Sequence, residues 1–319
     1  MARHPWRSWI VEKEGLIGAA MLYGGRGGKI NKLIRIGRAI LVFALLASAT
    51  QAQTRVPATT IHLRFGVGPY QSATVLAKHW TPIISYLENA TGYTLELTTA
   101  TDVPMFTQKM QQGQYDLAYT NPYVYTLFHK SAGYHAFAKE RNAPLTGIIL
   151  VRAHSPYRNL QDLNGLTVAF PGAAAPAATL LPLAHFKQLK MTVTPSYVIS
   201  LKSVYLAVSK GLFPAGGGEL KNFMALDPVL RHDLRILWIG PSLPAFAFSA
   251  HPRVPKVVIA RIQRALVDMN NDPEGVRLLK KINGNGFISA VDSDYDTVRA
   301  RKLEIFDASG GEDGGGPKP

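Results

Sequence analysis

The 319-residue chain contains no cysteine. That excludes disulfides, thiol nucleophiles, thiolate metal sites and a lipid-modified N-terminal cysteine, so the folded chain must be held by its own core. Its nine histidines show no H-x-x-x-H or comparable spacing, which leaves no metal motif and no cofactor site. Neither G-x-S-x-G nor H-E-x-x-H occurs, and His62, His79, His129 and His185 fall within strand or helix patterns. Without a nucleophile, base or metal constellation the chain reads as a binder and not as an enzyme. Acidic residues are scarce, 21 against 35 Lys and Arg, for a formal charge of +14. Residues 1–52 hold eight of those cations against Glu12 and Glu14, so +6 of the excess belongs to this segment. The remaining chain has no dense basic run with interleaved aromatics, which argues against a nucleic-acid partner.

Long apolar runs are also missing. Residues 39–49 (AILVFALLASA) are too few for a membrane span, which needs about 20 residues. They follow the basic stretch KINKLIRIGR and end in small residues at Ala47 and Ala49, with Ala52 just beyond. That order is a secretory signal peptide, with cleavage after Ala49 or Ala52. Residues 1–52 are therefore expected to be leader and signal peptide, with Met21 an alternative start, and the mature protein is expected in the periplasm. At the other end, residues 309–319 (SGGEDGGGPKP) lack apolar side chains, so a disordered tail is expected over 306–319.

The whole chain is 47% hydrophobic, enough for a sizeable core. Its organising stretch is residues 114–125, QYDLAYTNPYVY. Residues 115–119 have a strand's composition, Asn121 is a good N-cap and Pro122 a good first helical residue. A helix start at the carboxyl end of a strand presents free N–H groups and the positive end of the helix dipole to an anion. Around it, residues 61–68 (IHLRFGVG) read as a first strand, residues 73–90 as a helix with Pro82 kinking or restarting it, and residues 93–98 as a second strand. Asp102 caps a short helix before the Tyr115 strand. This β-α-β-α-β alternation implies a parallel sheet covered by helices. A second alternating set follows: a strand at 166–170, a helix to about residue 189, a strand at 195–199, Ser200 as cap of a helix over 201–210, and a strand at 234–239. Residues 152–240 thus read as a second domain inserted into the first, made of 53–151 and 241–305. Amphipathic helices at 257–269 and from Asp272-Pro273 onward pack back on the first.

Several segments together resemble the PhnD-like periplasmic phosphate, phosphite and phosphonate-binding proteins of ABC transporters: LRFGVGPYQSA, YLENATGYTLEL, YDLAYTNPYVY, NLQDLNGLTVAF, DPVLRHDLRILWIGPSLPAFAFSAHPRVP, DPEG and DYDTVRA. The resemblance implies an α/β two-domain clamshell of the type II periplasmic-binding-protein class, each lobe a mostly parallel sheet flanked by helices, with two hinge crossovers. It further implies a monomer that closes on a small anionic solute and delivers it to an ABC permease in the inner membrane. The alternatives are a remodelled or degenerate pocket for another solute, or delivery to a sensor kinase. Aromatic hydroxyls of the family's site fall at Tyr70 and at Tyr119, with Thr120, Asn121 and Tyr123 beside the latter. The family's hydroxyl-rich loop after the LTVAF strand is here PGAAAPAAT, which leaves Ala174, Ala175 and Thr179 as ligand contacts. Ser200, Lys202 and Ser203 complete the expected site. Lys202 stands where the family tends to have an acidic residue, and Pro214 where another is often found, so a ligand without an amine is expected.

Overall fold

The computed structural model describes residues 61–304, apart from positions 199 and 283; the leader, the signal peptide and the 306–319 tail lie outside the described residues. Alternation in the first stretch becomes β1, His62–Val67, which buries Leu63, Phe65 and Val67. Helix α1, Ala73–Thr91, starts at Ser72, whose Oγ accepts from the Val75 N–H, and ends at Gly92 in the left-handed region, φ 71°. Pro82 lies inside α1 without ending it. The carbonyl it leaves unpaired, four residues earlier, belongs to exposed Lys78, where water can bond it. Then come β2 (Thr94–Thr98), α2 (Val103–Gln111, capped by Asp102), β3 (Leu117–Thr120), α3 (Pro122–Ala132) and β4 (His135–Glu140).

The chain then enters a second sheet along β5, Leu145–Arg152. It continues through β6 (Thr167–Phe170), a single π-turn (Pro176–Leu180), α4 (Leu181–Gln188), β7 (Thr194–Tyr197), α5 (Leu201–Ser209) and β8 (Ala215–Glu219). After α6 (Leu220–Met224) and α7 (Pro228–His232) it leaves along β9, Leu234–Leu243. The return is β10 (Ala247–Ala250), α8 (Lys256–Asp268), α9 (Pro273–Lys281), β11 (Phe287–Ser289) and α10 (Asp296–Ala300). No described helix is long and apolar enough to cross a membrane.

The strand orders are β11-β4-β10-β3-β1-β2 and β7-β6-β8-β5-β9. The β2-β1-β3 and β7-β6-β8 groups are parallel, as the alternation implied. Antiparallel pairs are β10 against β3 and β4, β11 against β4, and β5 against β8 and β9, so both sheets are mixed and not mostly parallel as expected, because the strands that pass between the sheets and the return strands run against the parallel groups. Because β5 pairs wholly within the second sheet, the connections between sheets fall at residues 141–144 and 244–246, not beside Arg152 and Pro241 as the sequence suggested. They lie side by side, since Leu145 pairs with Leu243 and the Thr146 and Ser242 hydroxyls are 2.7 Å apart.

The first sheet is closed on one face by α1, α8 and α9 over Phe65, Trp80, Ile83, Leu87, Phe248, Ile262 and Leu266, all buried. Each such side chain stabilises the fold by about 1.5–3 kcal/mol. In the second sheet the central strand β8 is AGGGE, and its glycines make room for close neighbours. A Cβ on Gly217 would stand 2.0 Å from the Ala178 carbonyl oxygen, and one on Gly147 of β5 would stand 2.0 Å from that of Ala177. The π-turn thus lies directly on the sheet, and only small side chains fit along its inner side.

Candidate functional site

The start of α3 is built as its sequence suggests. Asn121 has extended backbone and its Oδ1 accepts the Val124 N–H at 2.9 Å, with Pro122 in the first turn. Tyr70, in the loop after β1, reaches the same point: its hydroxyl accepts the Asn121 N–H at 3.4 Å, leaving its own proton free to give. Tyr119 leaves the end of β3 toward α1, its ring 4.6 Å from that of Trp80, and donates its hydroxyl to the Glu140 carboxylate at the end of β4. Burial raises the Tyr70 phenol, with the Asn121 N–H opposing, and raises Tyr119, with Glu140 adding to it. Both therefore remain neutral hydroxyls. Thr120, the next residue of β3, is fully buried on the other face of the sheet, paired with Ala247, and its Oγ1 has no hydrogen-bond partner.

From the second sheet, the loop after β6 meets this point. The Ala174 carbonyl accepts from Asn121 Nδ2 at 3.3 Å, so the cap residue binds its own helix and the opposite lobe at once. Phe246, in the connection between β9 and β10, packs on both tyrosines, 5.4 Å from the Tyr70 ring and 5.3 Å from that of Tyr119. The structure thus brings Tyr70, Tyr119, Asn121 and Ala174 together, with Phe246 as an unforeseen wall.

Other expected residues have different surroundings. Tyr123 is buried among Leu180, Leu181, Val298 and Leu303, where burial and then Glu304 raise its phenol. Ala175 starts the π-turn, its carbonyl accepting from the Thr179 and Leu180 N–H groups. Thr179 was expected to keep a hydroxyl for the ligand; instead it is fully buried and donates to the Gly172 carbonyl at 2.8 Å, closing its own loop. Ser200 Oγ caps α5 by accepting the Ser203 N–H at 3.1 Å and lies 2.9 Å from Ser203 Oγ. Lys202 is exposed. No hydrogen bond or ion pair among the described residues links Ser200, Lys202 or Ser203 to Tyr70, Tyr119 or Asn121.

Two carboxylates were missed. Glu219 ends β8, and because β8 runs parallel to β6 it emerges at the same edge of the sheet as the Ala174 loop. Its backbone is held by the Tyr205 hydroxyl, which accepts the Glu219 N–H and donates to its carbonyl, both at 3.1 Å; Gly218 leaves the space for that ring. Burial pushes the Glu219 carboxyl up to about 7, with Lys221 opposing and Glu140 adding to the rise. Glu219 stands five residues beyond Pro214, as the lone acidic residue closing a glycine run. Glu140 was missed because β4 itself was not read as a strand.

A cavity of about 590 Å³ lies elsewhere, at the amino end of β1, between Arg64, Glu96, Gln114, Asp116 and Arg253. Its Arg253 is already committed to Asp116 at 2.7 Å, and ligands of open α/β sheets bind at the opposite, carboxyl ends of strands.

Comparison with known proteins gives the same picture. The model of the family described as "ABC transporter, phosphonate, periplasmic substrate-binding protein" matches residues 65–295. The chain is 23% identical to the phosphate-import protein PhnD of Mycolicibacterium smegmatis, over 89% of this chain and 98% of that protein. In structure it is similar to the binding-protein component of an ABC phosphonate transporter from Pseudomonas aeruginosa, with a TM-score of 0.66 and 16% identity over 76% of this chain and 86% of that one. It is similarly close to PhnD1 of Prochlorococcus marinus, solved in complex with methylphosphonate, with a TM-score of 0.66 and 14% identity over 75% of this chain and 96% of the other. Two α/β lobes, a helix start meeting the opposite lobe and a family match across most of the chain lead to one conclusion: this protein belongs to the periplasmic substrate-binding proteins of phosphonate ABC transporters.

Proposed function

We propose that the chain captures a small phosphorus oxyanion (phosphate, phosphite or a phosphonate) between its two lobes in the periplasm and hands it to an ABC permease. The observation that carries this reading is the Asn121 helix start. It stands at the carboxyl end of a strand, with the Tyr70 hydroxyl against its N–H and the Ala174 carbonyl of the other lobe on its side chain. Such a start favours an anion by the helix dipole, and the neutral Tyr70 hydroxyl can donate to it without adding charge. In this reading lobe 1 is residues 61–140 and 247–304, lobe 2 is 145–243, and the two short connections between them are the hinge. The M. smegmatis relative named for phosphate import and the P. marinus structure with methylphosphonate support the ligand class.

A thermal-shift panel on the mature protein tests it, using phosphate, phosphite, methylphosphonate, sulfate and small carboxylates. A ligand at 100 times its dissociation constant adds about 2.7 kcal/mol of stability. Phosphorus oxyanions are expected to raise the melting temperature; a rise with carboxylates alone would overturn the reading.

A further inference from the structure

The last described residues reach from one lobe to the other. The turn Asp292–Tyr295 and helix α10 are fixed to the first lobe. There the Tyr125 hydroxyl of α3 donates to Asp292 at 2.6 Å, Lys139 of β4 meets Asp294 at 3.1 Å, and Arg299 binds Asp292 and, at 2.6 Å, Asp296. Tyr295 is buried against Tyr125, their rings 4.5 Å apart. Helix α10, five residues long, packs along α3. At its end the Arg301 and Lys302 N–H groups bond the Val298 and Arg299 carbonyls, and Lys302 has φ 45°, the left-handed region that a helix end usually gives to glycine. A residue with a Cβ is strained there and persists only where its surroundings over-determine it.

That reversal turns the chain toward the second lobe. Leu303 is buried in one cluster with Val298 of α10, Tyr123 and Phe128 of α3, and Leu180 and Leu181, where the π-turn passes into α4. One residue further, the Glu304 carboxylate lies 3.9 Å from Lys187 Nζ on α4. Both partners are well exposed, so this pair contributes little and serves to mark the position of the chain. The apolar contact matters more. Leu180 and Leu181 are 1% and 4% exposed, and swinging α4 away from α3 returns apolar surface to water. The same cluster includes Leu145 and Leu243, beside the two connections, so it runs from the hinge to the first turn of α3, where Asn121 meets Ala174.

We propose that residues 298–304 are a strap that holds the lobes together in the empty protein and thereby sets its affinity for the solute. This rests on the two-lobe reading above and not on which anion is bound. Apparent affinity scales with the fraction of molecules whose lobes are already closed, so a contact that raises this fraction tightens binding without touching the ligand. Tyr123, expected from the sequence to touch the solute, instead joins the strap to the first turn of the site's own helix.

Small-angle scattering and calorimetric titration with phosphate test this on the mature protein, on Leu303→Ser and on Lys302→Gly. Empty Leu303→Ser is expected to have a larger radius of gyration than the empty wild type, and the same radius at saturating phosphate. Its affinity should fall roughly ten-fold, the factor for a closed fraction of about one in ten. Lys302→Gly keeps both the turn and Leu303, and is expected to match the wild type in both measurements. A lowered melting temperature of Leu303→Ser with the empty radius unchanged would mean ordinary core packing and would overturn the inference. The exposed pair gives a second test that leaves the core intact, in case Leu303→Ser does not fold. Because the chain has no cysteine, Lys187→Cys combined with Glu304→Cys can be joined selectively by a short bifunctional thiol reagent. The joined protein is expected to show no compaction on adding phosphate, whereas the unjoined double variant compacts; equal compaction of the two would overturn the strap. If no phosphate bound, the oxyanion reading would fail while the comparison of empty radii still decided the strap.

Discussion

Glu219 shows how one side chain sets a measurable property of the empty protein. Its carboxyl is pushed from the usual 4.5 up to about 7, chiefly by burial. In the unfolded chain it ionises first, so between these values the unfolded state binds fewer protons than the folded one. Stability should therefore fall as pH rises from about 4.5 to about 7 and level off above, by this group's contribution. Thermal melts across that range, wild type against Glu219→Gln, check it. The variant should show a flatter profile; an unchanged slope would mean that Glu219 is solvated in the folded protein. Such a group is hard to foresee from local pattern, because its environment depends on residues far apart along the chain. The positions of Tyr70 after β1, Tyr119 near the end of β3 and Asn121 at the helix cap were legible, since the local pattern there is strong. Thr179 was misjudged for the opposite reason: its hydroxyl closes a seven-residue loop onto Gly172, a contact set by the fold of the π-turn.

At the scale of elements, the capped helices were readable and the glycine-rich and return strands were not. Asp102, Asn121, Ser200 and Asp272 each accept an N–H in the first turn of the helix they precede, as their residue types imply. Strand β8, AGGGE, carries no apolar alternation because its faces are filled by others: the Ala178 carbonyl, Phe170, Val204 and Tyr205. Glycine there is a packing requirement. Ala177 and Ala178 of PGAAAPAAT follow from the same crowding, since the π-turn that holds them lies against Gly147 and Gly217. Gly217→Ala should destabilise the protein by about 1–3 kcal/mol or more through overpacking. Gly172→Ala, with nothing within 4 Å of the added carbon, should be close to neutral. Urea denaturation of the two variants makes the comparison; equal midpoints would contradict this account of the strand.

Across the whole molecule, the second lobe enters on β5 and leaves on β9, adjacent antiparallel strands that place both connections at one edge. The sequence showed that a second α/β set is inserted into the first but misplaced the crossing points. A β-rich strand such as TGIILVR carries no mark of which sheet it joins; that is decided by its pairing with β8 and β9. Two short neighbouring connections suit hinge motion about a single axis. Small-angle scattering with and without saturating phosphate should show compaction on binding, and an unchanged radius of gyration would count against closure.

The most direct measurement is calorimetric titration of phosphate into the mature protein and into Tyr70→Phe, which keeps the ring against Phe246 and removes the hydroxyl at the Asn121 helix start. A single saturable site is expected in the wild type. A hydrogen bond to a charged group contributes about 1.5–3 kcal/mol, so the variant should bind roughly ten-fold or more weakly with little change in melting temperature of the empty protein. Equal affinity in the two proteins would place the anion away from the Asn121 helix start and contradict the site described above.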